Sequence, residues 1–149
     1  MESPKPEHAP APTTPAASKR VALITGASSG LGREFARQLD NLQVADELWL
    51  VARDQTALNA VASSLDTPAR PLAADLTDPE AIERLRTLLA AERSRVTFLV
   101  NAAGFGKFGD WQAISDHAVD AMVDLKCRAL VDVTCASPQA AALRLIGKV

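Results

Sequence analysis

The residues of this sequence best suited to bind a ligand form a glycine-rich stretch near its start, Thr25–Gly32 (TGASSGLG). An apolar run, Val21–Ile24, precedes it, and Leu31, Phe35 and Leu39 follow at helical spacing. This order predicts a strand, a tight turn and a helix. The first turn of such a helix presents unpaired backbone N–H groups and the positive end of its dipole, which together bind phosphate.

Three glycines and two serines in this stretch suit a phosphate site. We expect Gly26 to leave the strand with a positive φ, Gly30 to let the backbone approach a pyrophosphate, and Gly32 to let the helix pack closely on the sheet. Ser28 and Ser29 add hydroxyl and N–H groups that can donate to phosphate oxygens. An ordinary glycine-rich turn is the alternative, and three glycines alone do not decide between the two.

The stretch Thr25–Gly32 resembles the TGxxxGxG cofactor loop of the short-chain dehydrogenase/reductase family, whose spacing differs from the GxGxxG of other dinucleotide-binding folds. The resemblance extends from residue 19 to about residue 135. It implies a Rossmann-type α/β fold, with a doubly wound parallel sheet, and hydride transfer between a nicotinamide dinucleotide and an alcohol or carbonyl. Four residues would then hold the pyrophosphate: Gly26, Ser28, Gly30 and Leu31.

The residues after the second predicted strand bear on the choice of dinucleotide. NAD-preferring members of the family carry an acid there that binds the adenosine ribose, whereas this sequence has Ala52, followed by Arg53 and Asp54. A guanidinium can form charge-assisted bonds to a 2′-phosphate, which a carboxylate would repel. The sequence therefore favours NADP(H) over NAD(H). Two alternatives stay open: Asp54 could partly restore ribose binding, and Arg53 could be a solvated loop cation.

Two more motifs match the family at the ends of the third and fourth predicted strands. The resemblance implies that Asp75 contacts the adenine amino group and that Leu76 lies beside the ring, although Asp75 taken alone could simply be a polar residue before a helix. Asn101 is expected to bridge backbone groups across the sheet. Three small residues would then lie along the cofactor: Ala102, Ala103 and Gly104.

The groups that would transfer a proton are missing. The family places a Ser after its fifth strand and a Tyr-x-x-x-Lys pair on the next helix, whereas this sequence contains no tyrosine. A general acid typically contributes about 10²–10⁴-fold to a rate. We therefore assign no catalytic residue and no metal ligand, and expect a truncated polypeptide that is inactive alone.

Two basic residues of the last predicted helix are harder to interpret. Lys126 stands where the family carries a catalytic Asn, whose amide hydrogen bonds a lysine cannot reproduce. A surface lysine on a slightly shifted helix is the alternative. His117 is interpreted as a residue at the helix start or on the surface.

Strands alternating with helices must position these motifs, which indicates a parallel sheet. We expect four strands, in the spatial order 3-2-1-4, at Val21–Thr25, Glu47–Ala52, within Pro68–Ala74 and at Val96–Val100. We expect helices from about Gly30 to Asp40, over Gln55–Leu65, from about Pro79 to Ala91 and from about His117 to Cys135.

The two ends of the sequence are expected to differ from its middle. Residues 1–19, rich in Pro and Ala, are predicted to be a disordered tail, and residues 20–149 a partial dinucleotide-binding domain. The ending Gly147–Val149 resembles the entry to a fifth strand. We therefore expect the chain to stop before strand five, with strand four at an open edge and the last helix without its packing partner.

Composition excludes several other classes of protein. The chain has 149 residues, 48% hydrophobic and 23% charged, which suits one globular domain. A net charge of −2 gives no support for binding nucleic acid or an anionic membrane, and no apolar run is long enough to span a bilayer. Cys127 and Cys135 lie about two helical turns apart, too far for a disulfide. We expect buried free thiols and a cytoplasmic protein.

Two functions follow from these observations. The first is the NADP(H)-binding part of a short-chain dehydrogenase/reductase, whose full-length relative would act on a carbonyl or alcohol. The second is a non-catalytic module that binds or senses the dinucleotide. Homo-oligomers are left open by the sequence. A scaffold that binds no nucleotide would require the glycine loop and the later motifs to coincide by chance.

Overall fold

A single parallel sheet with helices on both faces organises the protein. The computed structural model describes residues 18–107, 109–137 and 144–147, so the tail predicted for residues 1–19 lies almost entirely outside the described residues. The elements are β1 (Arg20–Thr25), α1 (Gly30–Leu42), β2 (Glu47–Ala52), α2 (Gln55–Ala62), β3 (Ala69–Ala73), α3 (Pro79–Ala91), β4 (Arg95–Asn101), a 3₁₀ turn (Trp111–Ala113), α4 (Asp116–Val123), a π-helical segment (Asp124–Arg128), α5 (Ala129–Ala136) and β5 (Arg144–Gly147).

The strand order across the sheet is β3-β2-β1-β4-β5, and every neighbouring pair is parallel. The predicted order 3-2-1-4 of the first four strands is therefore confirmed. The predicted edge strand β3 contains Pro71, which lacks the N–H that a central strand would use and is tolerated at a sheet edge.

The expectation of an open edge at strand four is wrong. The backbone of β5 pairs with β4, with Phe98 opposite Arg144 and Asn101 opposite Gly147. An unpaired β4 would leave a row of exposed N–H and C=O groups, and a parallel neighbour removes that cost. The sequence signal for a fifth strand is weak because the strand-like run, Leu143–Ile146, is short and follows three alanines. Lys148 and Val149 lie outside the described residues.

The two central strands are buried on both faces, as expected for a parallel sheet covered by helices. In β1, Leu23 packs with Trp49 of β2 in the core beneath α3 and α5. Ile24 and Leu50, one residue further along each strand, pack in the core beneath α1 and α2. Because side chains alternate between faces, the same continuous apolar runs supply both cores.

Three α-helices begin with a side-chain cap, α5 continues directly from the π-helical segment, and α1 begins with no side-chain cap. Asp54 caps α2 by accepting a hydrogen bond from Ala57 N at 2.9 Å, Asp78 caps α3, and Ser115 caps α4. At α1, by contrast, Ser29 forms no capping hydrogen bond with its side chain. The first-turn N–H groups of α1 are therefore not satisfied by their own cap residue.

The last helical stretch differs from its prediction in two respects. It is interrupted by the π-helical segment, and Ala129 and Val133 are buried in the core that α3 shares, so these two residues do have a packing partner. The expectation of buried thiols is wrong, since Cys127 and Cys135 are exposed on the side away from that core. Three valines remain exposed: Val119, Val123 and Val131.

A network of charged residues closes the amino end of the sheet. Glu47 accepts a hydrogen bond from the buried Trp49 indole at 2.6 Å and pairs with Lys19 at 3.0 Å. Arg70 lies 4.9 Å from the centre of the Trp49 ring and pairs with Glu92. We call these five residues the amino-end cluster. Separately, no helix in the described ranges combines the length and apolarity needed to cross a bilayer.

Candidate functional site

A cleft of about 1000 Å³ opens at the carboxyl edge of the sheet, where parallel α/β sheets characteristically bind ligands. Every predicted site residue except Gly32 and Asn101 lines it. The lining residues that the sequence analysis did not assign to the site are Ala52, Asp54, Ala74, Thr77, Phe105, His117, Ala121 and Leu125.

Two glycines are required because neighbouring backbones touch them. Gly26 has φ 67°, and a Cβ there would lie 2.7 Å from Ala102 O of the loop after β4. A Cβ on Gly32 would lie 2.2 Å from Gly26 O. The predicted positive φ of Gly26 and the predicted close packing at Gly32 are therefore confirmed. Gly32 does not line the cleft but sets the position of α1 against the turn.

The first turn of α1 opens into the cleft. Gly30 has φ 52°, and a Cβ there would meet no atom within 4 Å. Ser28 and Ser29 are also in the lining, and the Leu31 side chain is half exposed beside them. Because Ser29 does not cap the helix, hydroxyl and N–H donors remain available beside the positive end of the helix dipole. This arrangement can bind an anion such as a phosphate.

Thr25 links β1 to β4 beneath the cleft, a role that the sequence analysis gave to Asn101. The buried Thr25 hydroxyl accepts hydrogen bonds from Ala102 N and Ala103 N, each at 3.2 Å, and lies 3.4 Å from Val100 O. The Asn101 amide instead donates to Thr134 Oγ1 of α5 at 3.3 Å. The expected bridge therefore exists, but it is made by the threonine that begins the glycine-rich stretch.

Arg53 and Asp54 follow directly after β2, and only Asp54 has a structural role in the fold. Arg53 and Asp54 both line the cleft and are exposed, while Ala52, the last residue of β2, is partly buried. The Asp54 carboxylate is the cap of α2 through its Oδ1. Asp54 thus has a fold-related role, which the sequence analysis did not identify.

Asp75 lies in the loop between β3 and α3, where hydrogen bonds favour its ionised form. Its Oδ1 accepts from the Thr77 hydroxyl at 2.7 Å and from Thr77 N at 3.0 Å. These hydrogen bonds, together with the nearby Arg53 charge, lower the pKa of Asp75 below its ordinary value although partial burial opposes the shift. Both bonds end on one oxygen, so the other oxygen can accept a hydrogen bond from a ligand.

One stripe of the last helical stretch also lines the cleft, and the sequence analysis missed it. His117, Ala121 and Leu125 recur at four-residue spacing and all border the cleft. In a regular α-helix such a stripe rotates by about 40° per step. The wider π segment reduces this rotation, so the same spacing continues to the buried Ala129 and Val133. The four-residue spacing was the available signal in the sequence, but the other residues that line the cleft are distant in the sequence and are brought there by the tertiary structure.

Solved structures of other proteins share this fold, and the two described here each match 80% of this chain. A metagenomic short-chain oxidoreductase in complex with NADP has a TM-score of 0.71 and 35% identity, over 80% of this chain and 54% of that one. A short-chain dehydrogenase from Sphingobium yanoikuyae in complex with NADPH has a TM-score of 0.70 and 31% identity, over 80% and 46% of the two chains.

Sequence comparison gives the same result. An uncharacterized oxidoreductase of Staphylococcus epidermidis is 31% identical over 118 residues, which are 77% of this chain and 49% of the relative. A fatty acyl-CoA reductase of Acinetobacter baylyi is 39% identical over 88 residues, 57% of this chain and 29% of the relative. The chain therefore spans about half the length of the first relative and less than a third of the second.

The family described as short chain dehydrogenase matches residues 20–142. This range includes the strands β1 to β4 and every residue that lines the cleft. Together with the strand order and the glycine cradle of α1, this match shows that the chain belongs to the short-chain dehydrogenase family.

Proposed function

We propose that this chain binds NADP(H) in the cleft, as the cofactor-binding part of an oxidoreductase that interconverts an alcohol and a carbonyl by hydride transfer. The observation that supports this most strongly is the uncapped first turn of α1, which opens into a cleft of about 1000 Å³ beside Arg53. Pockets of this size accommodate large cofactors. When bound, the dinucleotide supplies the hydride, and the residues of this chain bind and orient it.

The pyrophosphate would lie over the turn formed by Gly26, Ser28, Ser29 and Gly30, where backbone N–H groups and hydroxyls can donate to its oxygens. Gly30 is open towards the cleft, so the backbone can be approached closely there. The close contact of Gly32 with Gly26 fixes the helix that provides these donors. The first-turn geometry therefore fits a diphosphate.

The adenosine half would lie along the ends of β2 and β3. Arg53 would bind the 2′-phosphate, and Asp75 would accept a hydrogen bond from the adenine amino group beside Leu76. The lowered pKa of Asp75 supports a charged acceptor at neutral pH. The small residues Ala102–Gly104 would leave room for the chain of the cofactor towards the nicotinamide.

The test is a titration of the 149-residue polypeptide with NADP⁺ and with NAD⁺, measured by calorimetry. We expect tighter binding of NADP⁺. Replacing Arg53→Gln should weaken NADP⁺ by about 10- to 100-fold, the equivalent of a lost charged hydrogen bond, and leave NAD⁺ unchanged. Arg37→Gln is the matched control, because Arg37 is an exposed arginine of α1 that does not line the cleft.

Equal affinities for the two dinucleotides, or equal losses in the two arginine variants, would reject the 2′-phosphate role of Arg53. A folded polypeptide that bound neither dinucleotide would reject the proposal as a whole. Folding can be checked in the same samples by far-ultraviolet circular dichroism.

We also propose that the 149-residue polypeptide does not turn over. It contains no tyrosine and so cannot supply the family's phenolic proton donor. Incubation with NADPH and a panel of aldehydes and ketones should show no oxidation of the cofactor above the rate in buffer. Measurable oxidation would overturn this part of the proposal and leave cofactor binding unaffected.

A second candidate is a module that binds or senses the dinucleotide without catalysis. The combination of an intact glycine cradle with the absence of tyrosine favours it. This candidate requires a cooperative thermal transition that NADP⁺ shifts upward by mass action. A polypeptide that is molten or aggregated with and without NADP⁺ would contradict it.

A further inference from the structure

The side chain of Lys126 packs against Gly104, a residue of the cleft wall that has no side chain of its own. A Cβ on Gly104 would meet Lys126 Cε at 3.3 Å and Cγ at 3.6 Å. Gly104 itself lines the cleft. The absence of a side chain at residue 104 therefore makes room for the aliphatic stem of the lysine.

The π-helical segment sets this position. Lys126 is the middle residue of Asp124–Arg128, directly after Leu125, which lines the cleft at the end of the α4 stripe. Segments of this kind are short, costly insertions that are often found at functional sites. Here the segment brings an exposed cationic side chain beside the loop that follows β4.

The ammonium group of Lys126 has no carboxylate partner among the described residues. Its neighbour Asp124 pairs with Arg128 at 3.2 Å, and none of the other salt bridges in that part of the chain includes Lys126. The two carboxylates that line the cleft, Asp54 and Asp75, form no salt bridge with it in the described part of the chain either. The charge of Lys126 is thus left available to an anionic ligand.

We infer that Lys126 binds the dinucleotide directly, by donating to a phosphate oxygen in the nicotinamide half of the cofactor. This inference rests on the proposed function. Arg53 would then hold the phosphate at one end of the cofactor, and Lys126 would contribute a second cation on the side of Gly104. A lysine suits this role because its ammonium is a point charge with three rotatable donors.

The experiment compares two ligands that share the adenosine half. NADP⁺ contains the nicotinamide half, whereas 2′,5′-ADP ends at the first phosphate of the diphosphate. Lys126→Gln should weaken NADP⁺ by about two- to five-fold, as expected for one exposed ionic contact, and should leave 2′,5′-ADP unchanged. Lys126→Arg should retain most of the affinity. The loss in Lys126→Gln should shrink in high salt.

Arg95→Gln is the matched control for net charge, because Arg95 is an exposed residue at the opposite, amino end of β4. Thermal melting of each variant controls for an effect on the fold. Equal binding of NADP⁺ by the wild-type chain and Lys126→Gln would overturn the inference while leaving the proposed function intact. An equal loss for both ligands would overturn it as well. A folded wild-type chain that binds neither ligand would reject both proposals.

Discussion

The two ends of the same sheet use their polar residues in opposite ways. At the amino end, the amino-end cluster pairs its charges with one another and covers a buried indole. At the carboxyl end, small residues and exposed donors surround an open cleft of about 1000 Å³. The difference indicates that one end stabilises the fold, while the other leaves its hydrogen-bonding groups available to a ligand. Substitutions should therefore separate stability from binding.

The largest effect should come from Gly26→Ala, which would damage both properties. The methyl group would overlap Ala102 O, and the residue would keep a left-handed backbone. The expected cost is about 2–6 kcal/mol of unfolding free energy, since strain and overpacking each contribute about 1–3 kcal/mol. Urea unfolding measures it. Gly30→Ala, which also has a positive φ but projects into open space, should cost less; equal costs would show that overlap does not matter.

Glu47→Ala should destabilise the fold at the amino end of the sheet without changing binding in the cleft at the carboxyl end. It leaves the buried Trp49 N–H without its acceptor and removes the partner of Lys19. We expect a loss of about 2 kcal/mol, with unchanged affinity for NADP⁺ in the fraction that is folded. The exposed Asp46→Ala, which removes the surface pair with the Arg20 side chain and a hydrogen bond from Arg20 N, should have a smaller effect on unfolding. A change in affinity for Glu47→Ala would contradict the separation of the two ends.

A pH effect is expected from Asp40, a buried residue of α1 that anchors the turn before β3. Burial alone would raise the pKa of Asp40, but hydrogen bonds from Thr67 and from Asp66 N outweigh it and lower the pKa. A lowered folded-state pKa adds stability above the unfolded-state pKa, and this stability is lost as the pH falls through the folded-state pKa. Asp40→Asn should cost about 1 kcal/mol at pH 7.

The measurement is urea unfolding of the wild-type chain and of Asp40→Asn at several pH values between neutral and acid. The difference between the two proteins should shrink as the pH falls. A difference that stays constant across this range would mean that the charge of Asp40 does not contribute to the stability of the fold.

The smallest effect should come from Asp54→Asn at the open end. Asparagine caps a helix about as well as aspartate, so α2 should keep its stability within about 0.5 kcal/mol. Removing a negative charge beside Arg53 should tighten NADP⁺ by about two- to five-fold. Asp78→Asn, at the cap of α3, is the matched control and should leave the affinity unchanged. Tighter binding in both variants would point to net charge rather than to the site.

Much of the fold could be predicted because the signals are local. The apolar runs of β1 and β2 and the positive φ of Gly26 each depend on residues close together in the sequence. The order of the first four strands follows from short right-handed crossovers. The predicted end of α2 at Leu65 was three residues too late, as expected where helices end without a strong stop signal.

The site was predicted where a motif supplies its own neighbours and missed where the neighbours come from elsewhere. The glycine loop lies in the cleft as expected, whereas the bridge assigned to Asn101 is made by Thr25, and the Asn101 amide donates to Thr134 of α5 instead. His117 is exposed and lies in the first turn of α4, as interpreted from the sequence, but its place in the cleft lining was not foreseen.

By itself, the sequence determined the strands, the turn geometry and the type of ligand chemistry, since these depend on backbone conformation and side-chain type over a few residues. Only the tertiary structure decided which residues meet: the pairing of β5 with β4, the exposure of Cys127 and Cys135, and the contact of Lys126 with Gly104. Such contacts join residues that are distant in the sequence, and they depend on how the helices pack on the completed sheet.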